Sequence, residues 1–441
     1  MIAIAIAAIE LLGETMNRLR YSAAVGCVAL AVAAVAPSKV CAQGGVPNCA
    51  DLTNPIFMGG TTAVLPVIRL LGARLKLVGV TLLWNEADEG CSGVAHLAHP
   101  EEFSTQQRVV FTQYTETDTG SGKVSASTCN GGVGQIADLV INDVAYASCE
   151  VAYGSTNQKN LPAGLGEFQG PVQGLVPIVP SSYTYYNDIT AEELQDLYVC
   201  GAAAKILTFT DNPHIFDYDP LKSGTHESWS RGLGLANGSV PTSQIGLGPI
   251  GNMLTAETMV TVAVAVSTSP DVTIGYTSTE FYDQYRDKVH ALKVRGLNQN
   301  LAYWPDSDVT NADKLNIREG RYMLQGTLRL VAAVDASGKA TNAGARHMID
   351  WFQGNVPESA DLQLPFDVNA IYAQRGVVPQ CAMKVTHDGD LPVFKHYTPA
   401  RPCHCAFQVL ATGNASIEGC VPCKDVSACQ ASQQCSYGYC E

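Results

Sequence analysis

Short apolar runs alternate with amphipathic stretches from residue 55 onward, in the order strand, turn, helix, twice in succession. Ile56 to Met58 reads as a strand. Ala63 to Leu75 reads as a helix with Leu65, Ile68, Leu71 and Leu75 on one face. Val80 to Trp84 is a second strand, leading into Gly90-Cys91-Ser92-Gly93 and a helix from Val94. This alternation predicts an α/β domain with a mostly parallel sheet. Val109 to Tyr114 and Lys123 to Thr128 read as a hairpin around Gly120-Ser121-Gly122, and Ala137 to Val144 as an apolar strand reaching Asn142-Asp143.

A second half begins near residue 175. Leu175 to Val179 is a strand bounded by Pro180, and Thr190-Ala191-Glu192-Glu193 is a capping box that starts a helix running to Val199. Ile206 to Phe209 and Ile215 to Tyr218 read as strands before Ser223-Gly224-Thr225 and a helix through Trp229. Met253 to Val266 predicts a helix, and Val272 to Tyr276 a strand returning to the first half. Farther on, Arg318 to Tyr322 reads as a hairpin entry, Thr327 to Ala332 as a strand and His347 to Phe352 as a core-packed helix. The organisation expected is a leader over residues 1–42 with translation starting at Met16, a first lobe over 43–174, a second over 175–273, a return and extension over 274–400, and a Cys-rich tail over 401–441.

Three segments carry candidate chemistry: Gly59-Gly60-Thr61-Thr62, Gly90-Cys91-Ser92-Gly93-Val94 and Ser223-Gly224-Thr225. Each precedes a helical run. The start of a helix leaves N–H donors unpaired and the positive end of a dipole outward, so a hydroxyl-bearing glycine turn there suits a phosphate-like oxyanion.

Composition sets limits on partners. The 441 residues are 46% hydrophobic and 15% charged, which fits a well-packed chain of more than one domain. A formal charge of -14 argues against a nucleic-acid or anionic-membrane surface, which requires clustered Lys and Arg. It leaves room for a buried anion site made of neutral donors.

Arg18 and Arg20, the apolar run from Ala23 to Ala36 and Val40-Cys41-Ala42 before Gln43 read as an export signal. Cys27 after Ala24-Val25-Gly26 resembles a lipoprotein box only weakly, so simple secretion is favoured over lipidation. No later segment has the roughly 18 consecutive apolar residues of a membrane span. Of 15 cysteines, Cys27 and Cys41 leave with the signal, and seven of the remainder crowd the C-terminus, a density that in an oxidising compartment means disulfides. The odd number left implies a free thiol or an intermolecular bond. Cys420-x-x-Cys423 as a zinc ligand pair is the minor reading, because no second C-x-x-C follows.

These residues resemble the substrate-binding component of the high-affinity phosphate ABC transporter, in divergent form, from about Pro55 to Tyr322. Gly59-Gly60-Thr61-Thr62 is similar to that family's first anion loop, Gly90 to Val94 to its Gly-Ser-Gly turn, Ala137 to Asp143 to the strand ending in its ligand aspartate, and Ser223-Gly224-Thr225 to its third loop. Leu175 to Val179 with Ile189 to Leu194, and Ile274-Gly275-Tyr276 with Val289 to Gly296, match non-site segments. The resemblance implies a two-lobed periplasmic-binding-protein type II fold with a hinge, plus a small disulfide-rich module. It implies ligand contacts from Gly60, Thr61, Thr62, Ser92, Gly93, Asp143, Ser223, Gly224 and Thr225, no cofactor, no metal and no catalysis. An aspartate beside an anion repels it unless the anion carries a proton to donate, so Asp143 would select protonated phosphate over sulfate.

One departure stands out. The family has an arginine shortly before its Ser-Gly-Thr turn, whereas this chain has Phe216 to Lys222 with Asp217 and Asp219 near the place of the cation. Losing a charge-assisted bond worth ~1.5 to 3 kcal/mol costs about one to two decades of affinity. Lys222, His226 and Arg231 are the replacements at hand, with Arg231 two turns into the helix and Lys222 without the planar fork.

Other features have plainer readings. Cys91 is a disulfide partner or buried filler, with His96 and His99 as surface residues, and Cys129 with Cys149 is a plausible bridge bracing the Asp143 strand. Thr117 to Gly122 is a hairpin turn before it is a nucleotide loop, Trp304 to Asp308 a solvated turn before a calcium loop, and Asn237-Gly238-Ser239 a formal glycosylation triplet. The expected function is therefore an exported, monomeric solute-binding protein, periplasmic or at the cell surface, that captures phosphate or a similar oxyanion for an ABC permease. A surface-interaction protein with a degenerate site is the alternative, and a secreted phosphatase ranks last for want of a metal cluster or activated nucleophile.

Overall fold

The computed structural model describes residues 46–441 apart from 86–89, 104–108, 119, 150–159, 202–203, 205, 207–208, 210–213, 218–222, 236–256, 356–363, 388 and 391–392. The export segment, Lys222, Asp219, the 237–239 triplet and the middle of the 206–209 strand lie outside the described residues.

The first half is a sheet built from β1 (Pro55–Gly60), β2 (Thr81–Asn85), β3 (Val110–Glu116), β4 (Val124–Asn130) and β5 (Leu139–Asn142). Only β2, β1 and β5 run parallel; β2 pairs antiparallel with β3, and β3 with β4. The sheet is thus mixed rather than mostly parallel, because the polar 110–130 segment turns back on itself as a tight hairpin. Helix α1 (Leu65–Lys76) buries Leu65, Ile68, Leu71 and Leu75 against the sheet. It follows a single 3-10 turn, Thr62–Val64. Helix α2 begins at Gly90 and ends at Ala98, so the Gly90-Cys91-Ser92-Gly93 segment is the first turn of the helix and not a loop ahead of it.

A strand of 16 residues, β6 (Leu165–Pro180), joins the halves. The capping box forms as the sequence predicts: Thr190 ends the short β7 (Asp188–Thr190), and Thr190 with Glu193 closes reciprocal bonds at the start of α3 (Ala191–Cys200). Beyond it come β8 (His214–Ile215), α4 (Gly224–Gly232), α5 (Glu257–Ala265), β9 (Thr273–Ser278), α6 (Thr279–Tyr285), β10 (Val289–Ala291), β11 (Lys293–Arg295) and β12 (Gln325–Ala333). Strand order is β4-β3-β2-β1-β5-β12-β6-β9-β8, with β10 also on β6. Residues up to Gly174 of β6 pair with β12, and those from Leu175 pair with β9 and β10. β9 therefore lies in the second sheet, and the chain re-enters the first at β12, not at Val272 to Tyr276. The two halves thus form two lobes, with β6 running through both sheets.

Each lobe has its own core. Ile68, Leu71, Trp84, Leu139, Ile141 and Phe352 belong to the first, and Leu194, Tyr198, Trp229, Ile274, Tyr276 and Phe407 to the second. In the second core Trp229 stacks on Tyr276 at 4.2 Å between centroids, with Tyr198 edge-on to both. Arg318 to Tyr322 is not a hairpin entry: Leu315–Arg318 is a helical turn closed by Gly320 at φ 70°. The Trp304 to Asp308 turn is filled by the protein's own cation. Lys314, wholly buried, reaches Asp306 at 3.0 Å and Asp283 at 2.8 Å, and Arg286 pairs with Asp306. Burial works against the Lys314 charge, but the two aspartates outweigh it and raise its pKa.

Helices α7 (Ala343–Gln353), α8 (Val368–Gln374) and α9 (His404–Thr412) complete the chain's longer elements. Cys403 bridges back to Cys381 and Phe407 is fully buried, so α9 is anchored in the body. Cys405–Cys420, Cys423–Cys435 and Cys429–Cys440 staple the tail beyond α9. Cys420 and Cys423, the pair weighed as zinc ligands, are both consumed by these crosslinks, as are Cys429 and Cys440 that lie at metal-like distance from Cys423, which overturns the zinc reading. Cys200 is a free thiol, exposed at the end of α3. Among the described residues no helix is long and apolar enough to cross a membrane.

Candidate functional site

β1 ends against its neighbour. Gly60 has φ 127°, and a β-carbon there would come within 1.8 Å of the Ile141 carbonyl oxygen, so only glycine allows the chain to turn at this point. The turn hands over to Thr61, whose N–H donates to that carbonyl at 2.8 Å and whose hydroxyl accepts from Ala63 N–H at 3.2 Å. Thr62 opens the 3-10 turn that leads into α1. On the opposite lobe Ser223 caps α4, its hydroxyl accepting from His226 N–H at 3.2 Å.

These starts meet the end of β5. A β-carbon on Gly224 would lie 2.5 Å from Oδ2 of Asp143 and 3.0 Å from Oδ1 of Asn142; one on Gly90 would lie 2.9 Å from the same Asn142 oxygen and 3.2 Å from Gly224 N. The first turns of α2 and α4 therefore face each other across Asn142-Asp143, with glycines where the backbones come closest. Thr61, Asp143, Gly224 and Thr225 are gathered at one point. Gly60, Thr62, Ser92, Gly93 and Ser223 occupy the adjoining turns, Ser92 half-buried and Gly93 buried.

Asp143 is 1% exposed. Gln173 Nε2 donates to its Oδ1 at 2.6 Å, Thr225 Oγ1 approaches Oδ2 at 3.4 Å, and Thr61 bonds it as well. Burial pushes its pKa up from 3.8 to about 6, and the bonds from Thr61, Gln173 and Thr225 restrain the rise. The three donors come from three places: the first lobe, the shared strand β6 and the second lobe. No cation pairs with Asp143 among the described residues.

The second lobe replaces the expected guanidinium with something else. Asp217 and His226 are both fully buried, His226 Nδ1 lying 3.0 Å from Asp217 Oδ1, and the Tyr276 hydroxyl donates to the same oxygen at 2.5 Å. Asp217 is thus not a bare acid opposing an anion but a member of a His–Asp–Tyr network on the core side of α4. Arg231 pairs with Glu227 one turn back along α4 at 2.5 Å.

The disulfides differ from expectation. Cys149 bridges Cys91, and Cys129 bridges Cys49. The reason is sheet order: β4, which carries Cys129, lies on the far edge with β3, β2 and β1 between it and β5, whereas Cys149 lies under the first turn of α2. Asn142 Nδ2 donates to Val144 O at 2.7 Å and touches Cys149 Sγ at 2.9 Å. His99 is also corrected: it is 7% exposed and not a surface residue, its N–H closing the last turn on Ala95 O. Two site residues have no motif to mark them. Asn142 is simply the neighbour of Asp143, and the only signal for Gln173 is an amide just ahead of the apolar run Leu175 to Val179.

No protein-family model matches the chain, and no curated protein matches it by sequence. Solved structures do resemble it. An ancestral soluble variant of the human phosphate binding protein is 16% identical, with 74% of this chain and 90% of that one covered at a TM-score of 0.46. A putative phosphate ABC transporter substrate-binding protein from Clostridium perfringens, with bound phosphate, is 15% identical over 74% and 99%, at 0.43. An ABC-type phosphate transport receptor from Vibrio cholerae is 14% identical over 73% and 99%, at 0.42.

Proposed function

We propose that this chain is an exported solute-binding protein that closes its two lobes over phosphate or a related protonated oxyanion and delivers it to an ABC-type permease. The observation that carries the reading is the meeting of two helix starts, those of α2 and α4, at a buried aspartate that both lobes and the shared strand β6 hold. Helix starts supply N–H donors and a favourable dipole to an anion. The aspartate adds an acceptor, which rewards a guest able to donate a proton. The six disulfides among the described residues fit folding in an oxidising compartment, where such binding proteins work.

Calorimetry of the purified protein against phosphate, arsenate and sulfate tests this. Phosphate and arsenate should bind and sulfate should not, with binding weakened by Asp143→Asn and Ser223→Ala. Absence of heat and of thermal stabilisation at millimolar phosphate would defeat the reading. A second reading, a surface-interaction protein that has kept the fold with a degenerate site, is favoured by one specific observation: Asp143 is already bonded by Thr61, Gln173 and Thr225 with Gly90 and Gly224 in close approach. The same titration separates the two.

A further inference from the structure

Two residues beyond Asp143, the chain is gripped by a carboxylate from 245 positions downstream. Ala145 N–H donates to both oxygens of Asp390, at 3.2 and 3.0 Å, and the Ser148 hydroxyl donates to Oδ2 at 2.5 Å. We propose that Asp390 is a positioning residue for Asp143, fixing the Asp143–Cys149 segment from outside the three candidate anion segments. The inference rests on the reading of Asp143 as the ligand acceptor, but its central measurement does not.

The segment needs an external hold. Ala145 is the N-cap of the 3-10 turn Tyr146–Ser148 and has no side chain with which to cap it. Asp390 instead takes the N-cap's own amide and the Ser148 hydroxyl at the end of the turn, and Glu167 of β6 takes the next amide, Tyr146 N–H, at 2.6 Å. Two carboxylates on successive amides would repel each other without a counter-charge. Arg329 provides it: its guanidinium lies 3.8 Å from Asp390, and on β12 it stands in register with Asn142, one residue from Asp143. Burial, the largest influence on Glu167, raises its pKa, with Asp390 adding to the rise while Tyr146 N–H and Arg329 oppose it.

The far end of the segment is fixed covalently through Cys149 to the first turn of α2. Asp390 is itself held on a prepared mount. It lies between Val385–Thr386 and Lys395–His396, which pair as a small hairpin. His387 Nδ1 donates to Gly389 O at 2.6 Å, Arg329 donates to the same carbonyl at 3.2 Å, and Thr327 meets His387 Nε2 at 3.4 Å. Asp390 therefore joins the 385–396 hairpin, β12 and the Asp143 segment at a single carboxylate that is 5% exposed. A group used only to bury surface would not require this many converging polar bonds. A group used to fix the direction of a neighbouring side chain would.

The test compares Asp390→Ala, Asp390→Asn and the wild type in the full-length protein. Hydrogen bonds to a charged group of this kind convert to an affinity change of about tenfold or more. Asp390→Ala is expected to weaken phosphate binding by that factor in calorimetry, and Asp390→Asn by less, since the amide keeps one acceptor. In the ligand-free protein, carboxyl carbon NMR should find the Asp143 titration midpoint displaced toward the ordinary carboxylate range in Asp390→Ala. Arg318→Ala, which loosens a region remote from Asp143, serves as a stability control and should leave that midpoint in place. If Asp390→Ala does not fold, Ser148→Ala removes one bond and is read the same way. A fall in melting temperature with the midpoint unmoved would overturn the proposal. A displaced midpoint in a protein whose wild type ignores phosphate would sustain it while removing the transport reading.

Discussion

The α-carbon of Gly224 in the second lobe lies against the Asp143 carboxylate of the first, so that a single added carbon would come to 2.5 Å from Oδ2. No β-carbon is tolerated at that distance from a held side chain. The contact leaves no room for one methyl group.

Gly224→Ala is accordingly expected to keep the fold and lose the closed state. Asp143 has little freedom to retreat, being bonded by Gln173 at 2.6 Å, so the lobes must give way. Phosphate affinity should fall by about 100-fold, the equivalent of some 3 kcal/mol. Small-angle scattering of the ligand-free variant should show a larger radius of gyration than the wild type. An unchanged affinity would mean that this contact plays no part in the bound state.

Asp143→Asn should trade binding for stability, with a defined pH dependence. The folded-state pKa is raised to about 6 from 3.8, so the folded protein holds its proton more tightly than the unfolded chain does. The stabilisation from protonated Asp143 is complete below about pH 4 and is lost as pH rises through 6. The difference in pKa corresponds to about 3 kcal/mol as an upper bound. Asn at this position should raise the melting temperature at pH 8 and leave it nearly unchanged at pH 4. Melting curves at the two values decide the matter, and an equal shift at both would contradict the assignment.

The Cys91–Cys149 bridge should matter to ligand as well as to folding. It ties the first turn of α2 to the chain that comes after Asp143. Closing a loop of this length contributes about 4 kcal/mol in the chain-entropy account, and the other bridges remain intact. The Cys91→Ser, Cys149→Ser double variant should fold at 25 °C and bind phosphate about tenfold more weakly. Equal affinity in variant and wild type would show that the bridge does not set the loop.

Arg318→Ala should loosen α9 without touching the site. The guanidinium donates to Gln408, to His404 O at 3.2 Å and to Asp313 O at 3.3 Å, and lies over the Phe407 ring. Burial lowers its pKa to about 10, which leaves it charged at neutral pH. Removing it strands several acceptors, at a cost of about 3 to 5 kcal/mol. Limited proteolysis should then cut near α9 while phosphate affinity stays within threefold of wild type.

Much of the molecule is legible in local patterns. The capping box at Thr190, the apolar face of α1 and the hairpin around Gly120 come from short-range periodicity and turn chemistry, which need no partner elsewhere in the chain. The glycine turns are legible too, because φ constraints and close approach leave glycine at the positions that need it. The features concealed in the sequence depend on distant pairing. Cys129 and Cys149 look like natural partners along the chain, yet three strands stand between β4 and β5 in the sheet. Gln173 reads as an ordinary polar residue ahead of an apolar strand until its bond to Asp143 is seen. Asp217 reads as a hostile charge until His226 and Tyr276 are seen to surround it. Asp390 carries no motif at all.

The long strand β6 has a bearing on ancestry and engineering. Because one strand is woven into both sheets, changing registry partners between Gly174 and Leu175, neither half can be lifted out as a cassette. A chimera that borrowed one lobe from a homologue would inherit half a strand and have to match the other half's pairing and pleat. New specificities in such a molecule are more readily acquired by rewriting turns at the rim than by shuffling whole segments.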